Sequence, residues 1–200
     1  IRAQSHAQIQ ALKARIRPHF LFNSMNTIAS LISIDAGKAE RAVEDLAELF
    51  RASLKDDTEH SLEAEFTLVR SYLDIETLRL GERLQIAWQQ ASDLPLDMEI
   101  PALCLQPLVE NAIYHGIEPM AAGGTIAITA QIENNRLCLV VSNPTNGSGR
   151  MKAHKSNHMA QDNIRQRLSL MYAHEAAFEI IHADGRYSVT LKIPLAQNHI

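Results

Sequence analysis

The chain has 200 residues, 46% of them apolar and 21% charged, with only 8 Gly and 7 Pro, a balance that excludes global disorder because enough apolar surface exists to offset chain entropy. A length of this order holds either one domain or a small helical module beside a mid-sized domain. The formal charge of -4 comes from an even mix of signs without a basic run, so direct nucleic-acid binding is not expected.

From Arg2 to about Ser33 no turn dipeptide interrupts the chain, and Ile9, Leu12 and Ile16 recur at helical spacing. The seam continues on a polar line, His19, Asn23, Asn26 and Ser30, while Leu21, Met25, Ile28 and Ile32 form a second, apolar line. Asp35-Ala36-Gly37 stops this helix and caps the next, whose predicted buried line is Ala39, Val43, Leu46, Phe50 and Leu54. Two helices bury one face each and are too few for a core, so a homodimeric four-helix bundle is expected. Ser61 with Glu63 and Glu65 opens a third helix whose buried line is Leu62, Phe66, Val69, Leu73 and Leu80. The expected division is 1–60 for the hairpin, 61–80 for a connecting helix and 81–200 for a second domain.

After Gly81 the period changes. Strands are predicted over 84–88, 125–132, 137–141, 178–182 and 187–193, and helices over 105–117 and 162–173, with hairpin turns at Asn134-Asn135 and Asp184-Gly185. This irregular alternation predicts an α+β fold with a mixed sheet and helices on one face. The loop from Asn143 to Asn157 is long enough to be a functional lid. Cys104 and Cys138 lie in apolar runs without metal-ligand spacing, as buried thiols of a reducing, cytoplasmic compartment would. No apolar run reaches the roughly 20 residues of a membrane span. The chain starts at Ile1 in mid-pattern, and an upstream segment is expected.

Two segments stand out chemically. In Arg17-Pro18-His19-Phe20-Leu21-Phe22-Asn23 a proline inside a helical pattern costs about 3 kcal/mol, which something should offset. A lone histidine beside a kink is more often a packing feature. Asn23, however, lies four residues on, on the same face, so an imidazole and a carboxamide are presented together; a neutral imidazole is a competent nucleophile for phosphoryl groups. In Leu105–Gly116 (L-Q-P-L-V-E-N-A-I-Y-H-G) a straight helix gathers Glu110, Asn111, Tyr114, His115 and Glu118 on one arc of about 140°. An acid, a carboxamide and an imidazole without lysine or arginine suit a hard divalent cation better than a solvated face does.

Together, R-P-H-F-L-F-N-S-M-N at 17–26, Y-L-D-I-E-T-L-R at 72–79 and the Leu105–Gly116 segment resemble the LytS-type sensor histidine kinases, over nearly the whole chain and in the same order. Asp162–Leu168 is similar to the AlgZ branch of that family. The resemblance implies a dimerising phosphoacceptor hairpin followed by a GHKL (Bergerat) α/β sandwich that binds ATP, with His19 attacking the γ-phosphate and passing it to an aspartate on a response regulator of the LytTR type. It further implies that the chain is the cytoplasmic part of a bacterial inner-membrane protein, anchored by the upstream segment. Glu110 and Asn111 match the family's N-box, with Asn111 as Mg²⁺ ligand and Glu110 polarising the attacking group; His115 lies on the same nucleotide-binding segment. Residue 20 is phenylalanine where many histidine kinases carry an acid, which leaves Glu110 as the candidate base. Asn23 stands where related kinases orient water for dephosphorylation.

Two family motifs are altered. The adenine-reading D-N-G-x-G becomes Val141-Ser142-Asn143-Pro144-Thr145-Asn146-Gly147-Ser148-Gly149, in which Ser142, Asn143 or Thr145 replaces the aspartate, Gly147 and Gly149 remain, and an ordinary turn is the alternative. The lid G-x-G-L-x-N becomes His158-Met159-Ala160-Gln161-Asp162-Asn163, which lacks both glycines. Asn163 and Arg167 remain as phosphate contacts, or else as a helix cap and the partner of an acid. A rival expectation follows: a catalytically weak dimeric scaffold or phosphatase with degenerate ATP binding.

Overall fold

The computed structural model describes residues 18–55, 57–145 and 155–195, with side chains in the last stretch from Gln161 on. The seam of Ile9, Leu12 and Ile16, the Arg17 side of the proline kink, and Gly147 and Gly149 lie outside the described residues. The chain forms two compact units, one of residues up to Asp57 with Phe66–Gly81, the other of Thr58–Glu65 with Glu82 onward. A single helix, α3, contributes to both units.

In the first unit, α1 (Pro18–Ile32) and α2 (Ala36–Leu54) form the predicted hairpin. Asp35 caps α2, its Oδ1 accepting from the Lys38 N–H at 3.0 Å, and that hydrogen bond holds its carboxyl below the ordinary range. The buried line keeps Ile28 and Ala39 of the predicted ones and otherwise differs. Ser24 and Ile28 of α1 and Ala39, Ala42, Leu49 and Ser53 of α2 are buried, whereas Phe22, Met25, Ile32, Val43 and Leu54 are exposed. The buried positions hold mostly small residues, which permit close backbone approach, and two helices alone can cover only a narrow stripe. The larger apolar side chains are left outside it.

The helix α3 (Leu62–Leu80) buries the whole predicted line of Leu62, Phe66, Val69, Leu73 and Leu80, and also Leu68, Tyr72, Ile75 and Glu76. It is buried nearly all round, so its apolar residues are not confined to one stripe. Within the first unit Tyr72 packs on Phe20 at 5.0 Å between ring centroids, and the buried Glu76 pairs with Arg79, whose Nε lies 3.1 Å from Oε2. Burial, with the Asp45 charge nearby, raises the Asp74 carboxyl.

The second unit is the expected mixed sheet. Its strands are β2 (Leu84–Gln90), β4 (Gly124–Glu133), β5 (Arg136–Pro144), β6 (Ala177–Ala183) and β7 (Arg186–Pro194), in the order β2-β4-β5-β7-β6. Only β2 and β4 run parallel. Asn134 and Asn135 both take positive φ at the β4–β5 turn, as do Asp184 and Gly185 between β6 and β7, the geometry that two-residue hairpins require. Ile126, Ile128, Leu137, Leu139, Leu191 and Ile193 form the fully buried centre. Two three-residue strands, β1 (Glu59–Ser61) and β3 (Glu99–Pro101), pair antiparallel and tie the start of α3 to this unit.

A short helix, α4 (Gln106–Asn111), runs into a wider π turn (Ala112–Ile117) that packs on β4 and β5. A last helix, α5 (Lys155–Tyr172), packs on β6 and β7. Tyr172 donates to the Glu99 carbonyl at 3.4 Å, and burial, with charges on Cys104, Glu59 and Glu99 nearby, pushes its hydroxyl up to about 12. Cys104 and Cys138 are free and buried as expected, and burial followed by the Glu65 charge pushes the Cys104 thiol well up, leaving it inert.

Candidate functional site

His19 is exposed on α1 and Asn23 half-buried, and the two meet as their spacing predicts: Asn23 Nδ2 lies 3.2 Å from His19 Nδ1 and 3.4 Å from Nε2. A carboxamide N–H can donate only to a ring nitrogen that keeps its lone pair, so the contact orients the ring through one nitrogen. Phe20, where an acid stands in many related proteins, instead packs on Tyr72.

In the second unit the straight helix predicted over 105–117 ends at Asn111, and the Glu118 N–H reaches five residues back, to the Ile113 carbonyl at 2.8 Å. A π turn of this kind inserts a residue into the helical register and is frequent at functional sites. The polar arc drawn on a straight helix is redistributed. Asn111 is buried at 2% exposure, Glu110 and His115 are half-buried, and Tyr114 is exposed, its ring edge-on to His115 at 4.8 Å. Gln106 Nε2 donates to Glu110 Oε1 at 3.0 Å.

Both ends of this segment are fixed by charged side chains that sequence reasoning passed over. Upstream, the fully buried Glu65 of α3 accepts from three backbone N–H groups: Leu105 at 2.7 Å, Leu103 at 2.9 Å and Gln106 at 2.9 Å. His60 Nε2 contacts the same carboxylate. Since α4 has no capping side chain of its own, Glu65 supplies the cap from the other end of the unit's sequence, where a negative charge also meets the positive end of the helix. Downstream, Arg83 Nη2 donates to the Glu118 and Met120 carbonyls, each at 2.9 Å. Gly123 at φ 70° makes the sharp return, and a Cβ there would lie 2.0 Å from the Arg83 carbonyl oxygen.

Three positions compete for the missing aspartate, and their surroundings separate them. Ser142 Oγ accepts from Arg186 Nη2 at 2.8 Å, and the Thr145 backbone N–H donates to the Gly185 carbonyl at 2.8 Å. Asn143, 1% exposed, donates from Nδ2 to the Pro144 carbonyl at 2.8 Å, while its Oδ1 has no hydrogen-bond partner among the described residues. A buried acceptor without a partner is costly unless something donates to it. Gly116 lies against the same side chain, since a Cβ there would fall 2.1 Å from Asn143 Nδ2. The π turn and the end of β5 thus meet at a contact where a Cβ would displace the Asn143 side chain.

The remaining predicted residues are arranged differently. Asn163 is exposed on α5. Arg167, expected at a phosphate or an acid, instead donates through Nη1 to the Ala102 carbonyl and through Nη2 to the Leu103 carbonyl at 3.3 Å. It braces the loop that Glu65 holds from the other side. The side chain of His158 lies outside the described residues.

Residues 7–84 match the family model described as histidine kinase. Over 95% of its length the chain is 32% identical to the sensor protein LytS of Streptococcus agalactiae serotype V, of which it covers 34%. The chain belongs to the LytS-type sensor histidine kinases. It is also 33% identical, again over 95% of its length, to the sensor histidine kinase BtsS of Escherichia coli K12, covering 34% of that protein. It therefore spans about a third of the length of the curated LytS-type relatives it matches. Among solved structures, the blue-light-activated histidine kinase of Erythrobacter litoralis EL346 superposes with a TM-score of 0.51 at 16% identity, over 90% of this chain and 59% of that one, a likeness of fold.

Proposed function

We propose that this chain is the phosphoryl-transferring part of a sensor histidine kinase: it binds Mg-ATP in its second unit, phosphorylates His19 and passes the phosphoryl group to an aspartate of a response regulator, of the LytTR type. The reading is supported by an exposed His19 in contact with Asn23 in the first unit and, in the second, by a segment held at both ends and a buried acceptor atom on Asn143. ATP and Mg²⁺ fit the residues present. Asn143 Oδ1 awaits a donor such as the adenine amino group, and the oxygens of Asn111 and Glu110 suit a hard cation. Asn111 would hold Mg²⁺, which supplies neutralisation of charge on the transferring phosphate.

A ring nitrogen of His19 forms the new bond to the γ-phosphorus as the bond to the ADP oxygen breaks, and Glu110 accepts the proton that the imidazole gives up. Asn23 orients the ring, and its contact is given up as the attacking nitrogen turns its lone pair to phosphorus. His115 lines the nucleotide segment, Asn163 on α5 would contact phosphate, and Gly147 and Gly149 belong by sequence to the adenine-reading motif. A neutral asparagine in place of aspartate makes a weaker hydrogen bond to adenine, so affinity is modest.

The exposed Phe22, Met25, Ile32, Val43 and Leu54 support a homodimeric four-helix bundle. Among the described residues no helix is long and apolar enough to cross a membrane. Anchoring in the inner membrane would come from sequence outside this chain, with these residues cytoplasmic, and kinship with the AlgZ branch rests on Asp162–Leu168.

A second reading has one observation in its favour. Arg167 is engaged with the Ala102 and Leu103 carbonyls, and glycine is absent at 158 and 160, which suits a weak kinase that acts as scaffold or as phosphatase through Asn23. The full-length protein incubated with Mg²⁺ and ATP labelled on the γ-phosphate distinguishes them. Acid-labile, base-stable label on the protein is expected; its absence, with loss of phosphate from a phosphorylated regulator, would leave the second reading standing.

A further inference from the structure

Gln106 is 8% exposed, and its carboxamide donates from Nε2 to Glu110 Oε1 at 3.0 Å while Oε1 has no hydrogen-bond partner among the described residues. A carboxylate only accepts, so the amide must turn its NH₂ toward Glu110, which leaves the oxygen unsatisfied. As a device for stability this is poor, because a leucine of similar size would fill the site without an orphaned acceptor. As a way to hold one carboxylate oxygen in place it is effective. The backbone that carries Gln106 is itself fixed, since its N–H and that of Leu105 converge on one oxygen of the buried Glu65, at 2.9 and 2.7 Å.

We propose that Gln106 is a positioning residue for Glu110, and that Glu65 fixes the backbone from which Gln106 acts; this rests on the kinase reading above. The relay runs from a buried carboxylate on α3, through the first helical residue of α4, to the acid one turn further on.

The test is Gln106→Leu in the full-length protein, with autophosphorylation measured across ATP concentration beside a thermal melt. The inference expects kcat to fall about ten- to a hundredfold with KM for ATP unchanged and the melting temperature to hold or rise. An unchanged kcat, or a parallel loss of kcat, ATP affinity and melting temperature, overturns it. Glu65→Gln keeps an oxygen for Leu105 and Gln106 but presents a donor to the Leu103 N–H, and should lower kcat in the same way by less. If Gln106→Leu does not fold, Gln106→Met carries the comparison. An unlabelled wild-type protein is a separate result, which removes the kinase reading and this inference with it.

Discussion

The two units differ in how they meet their need for burial. The sheet unit encloses its own core, with Ile126, Ile128, Leu137, Leu139, Leu191 and Ile193 at or near zero exposure, and uses charged side chains to pin one segment: Glu65 and Arg167 at the start of α4, Arg83 beyond the π turn. The helical hairpin instead buries small residues and turns Phe22, Met25, Ile32, Val43 and Leu54 outward, around an exposed His19. A binding site needs preorganisation, whereas an acceptor that must be reached by a nucleotide and by a regulator needs access. One unit closes its own core; the other leaves large apolar side chains exposed, as the proposed homodimer requires.

This contrast can be broken by experiment. Ile128→Ala, at the centre of the sheet, should cost about 2–5 kcal/mol, read as a fall in unfolding free energy of the second unit that does not depend on protein concentration. If the loss vanished at high concentration, the sheet unit would not be self-contained. Val43→Asp should leave the sheet unit's melting unchanged and weaken dimerisation about 30-fold or more, measured by sedimentation equilibrium. An unaltered dimer would show that α2 uses another face.

Smaller effects sharpen the picture inside each unit. Gly116→Ala should displace the Asn143 side chain and lower nucleotide affinity about tenfold by calorimetry, with little change in folding. Asp74→Asn should have the smallest effect. Because the folded-state carboxyl is raised, its ionisation destabilises the fold as pH rises through the carboxylate range, so the substitution should increase the melting temperature slightly at neutral pH and not below that range.

Much of this was legible in the residues. The Asn134-Asn135 and Asp184-Gly185 turns announce their hairpins because positive φ is written in those residue types, and His19 with Asn23 meet because four residues make a helical turn. What was not legible depends on distance or on small choices of packing. The α2 stripe of Ala39, Ala42, Leu49 and Ser53 could not be told from that of the larger Val43 and Leu54, since hydrophobicity alone favours the latter. The three-residue strands β1 and β3 are too short to show a period. Glu65 reads locally as a first-turn acid of α3; its capping of Leu105 and Gln106, about 40 residues on, is a tertiary fact. For Arg167 the motif left a phosphate contact and an acid partner open; its donation to the Ala102 and Leu103 carbonyls is a long-range contact with no local marker. The widened turn after Asn111 has no marker in its sequence beyond Gly116.

The central claim is that His19 receives the phosphate and the sheet unit supplies it. It is tested most directly by His19→Gln in the full-length protein, measured side by side for label from γ-labelled ATP and for Mg-ATP affinity by calorimetry. The account predicts no label and an affinity equal to that of the unsubstituted protein. Label that survives the substitution would contradict it.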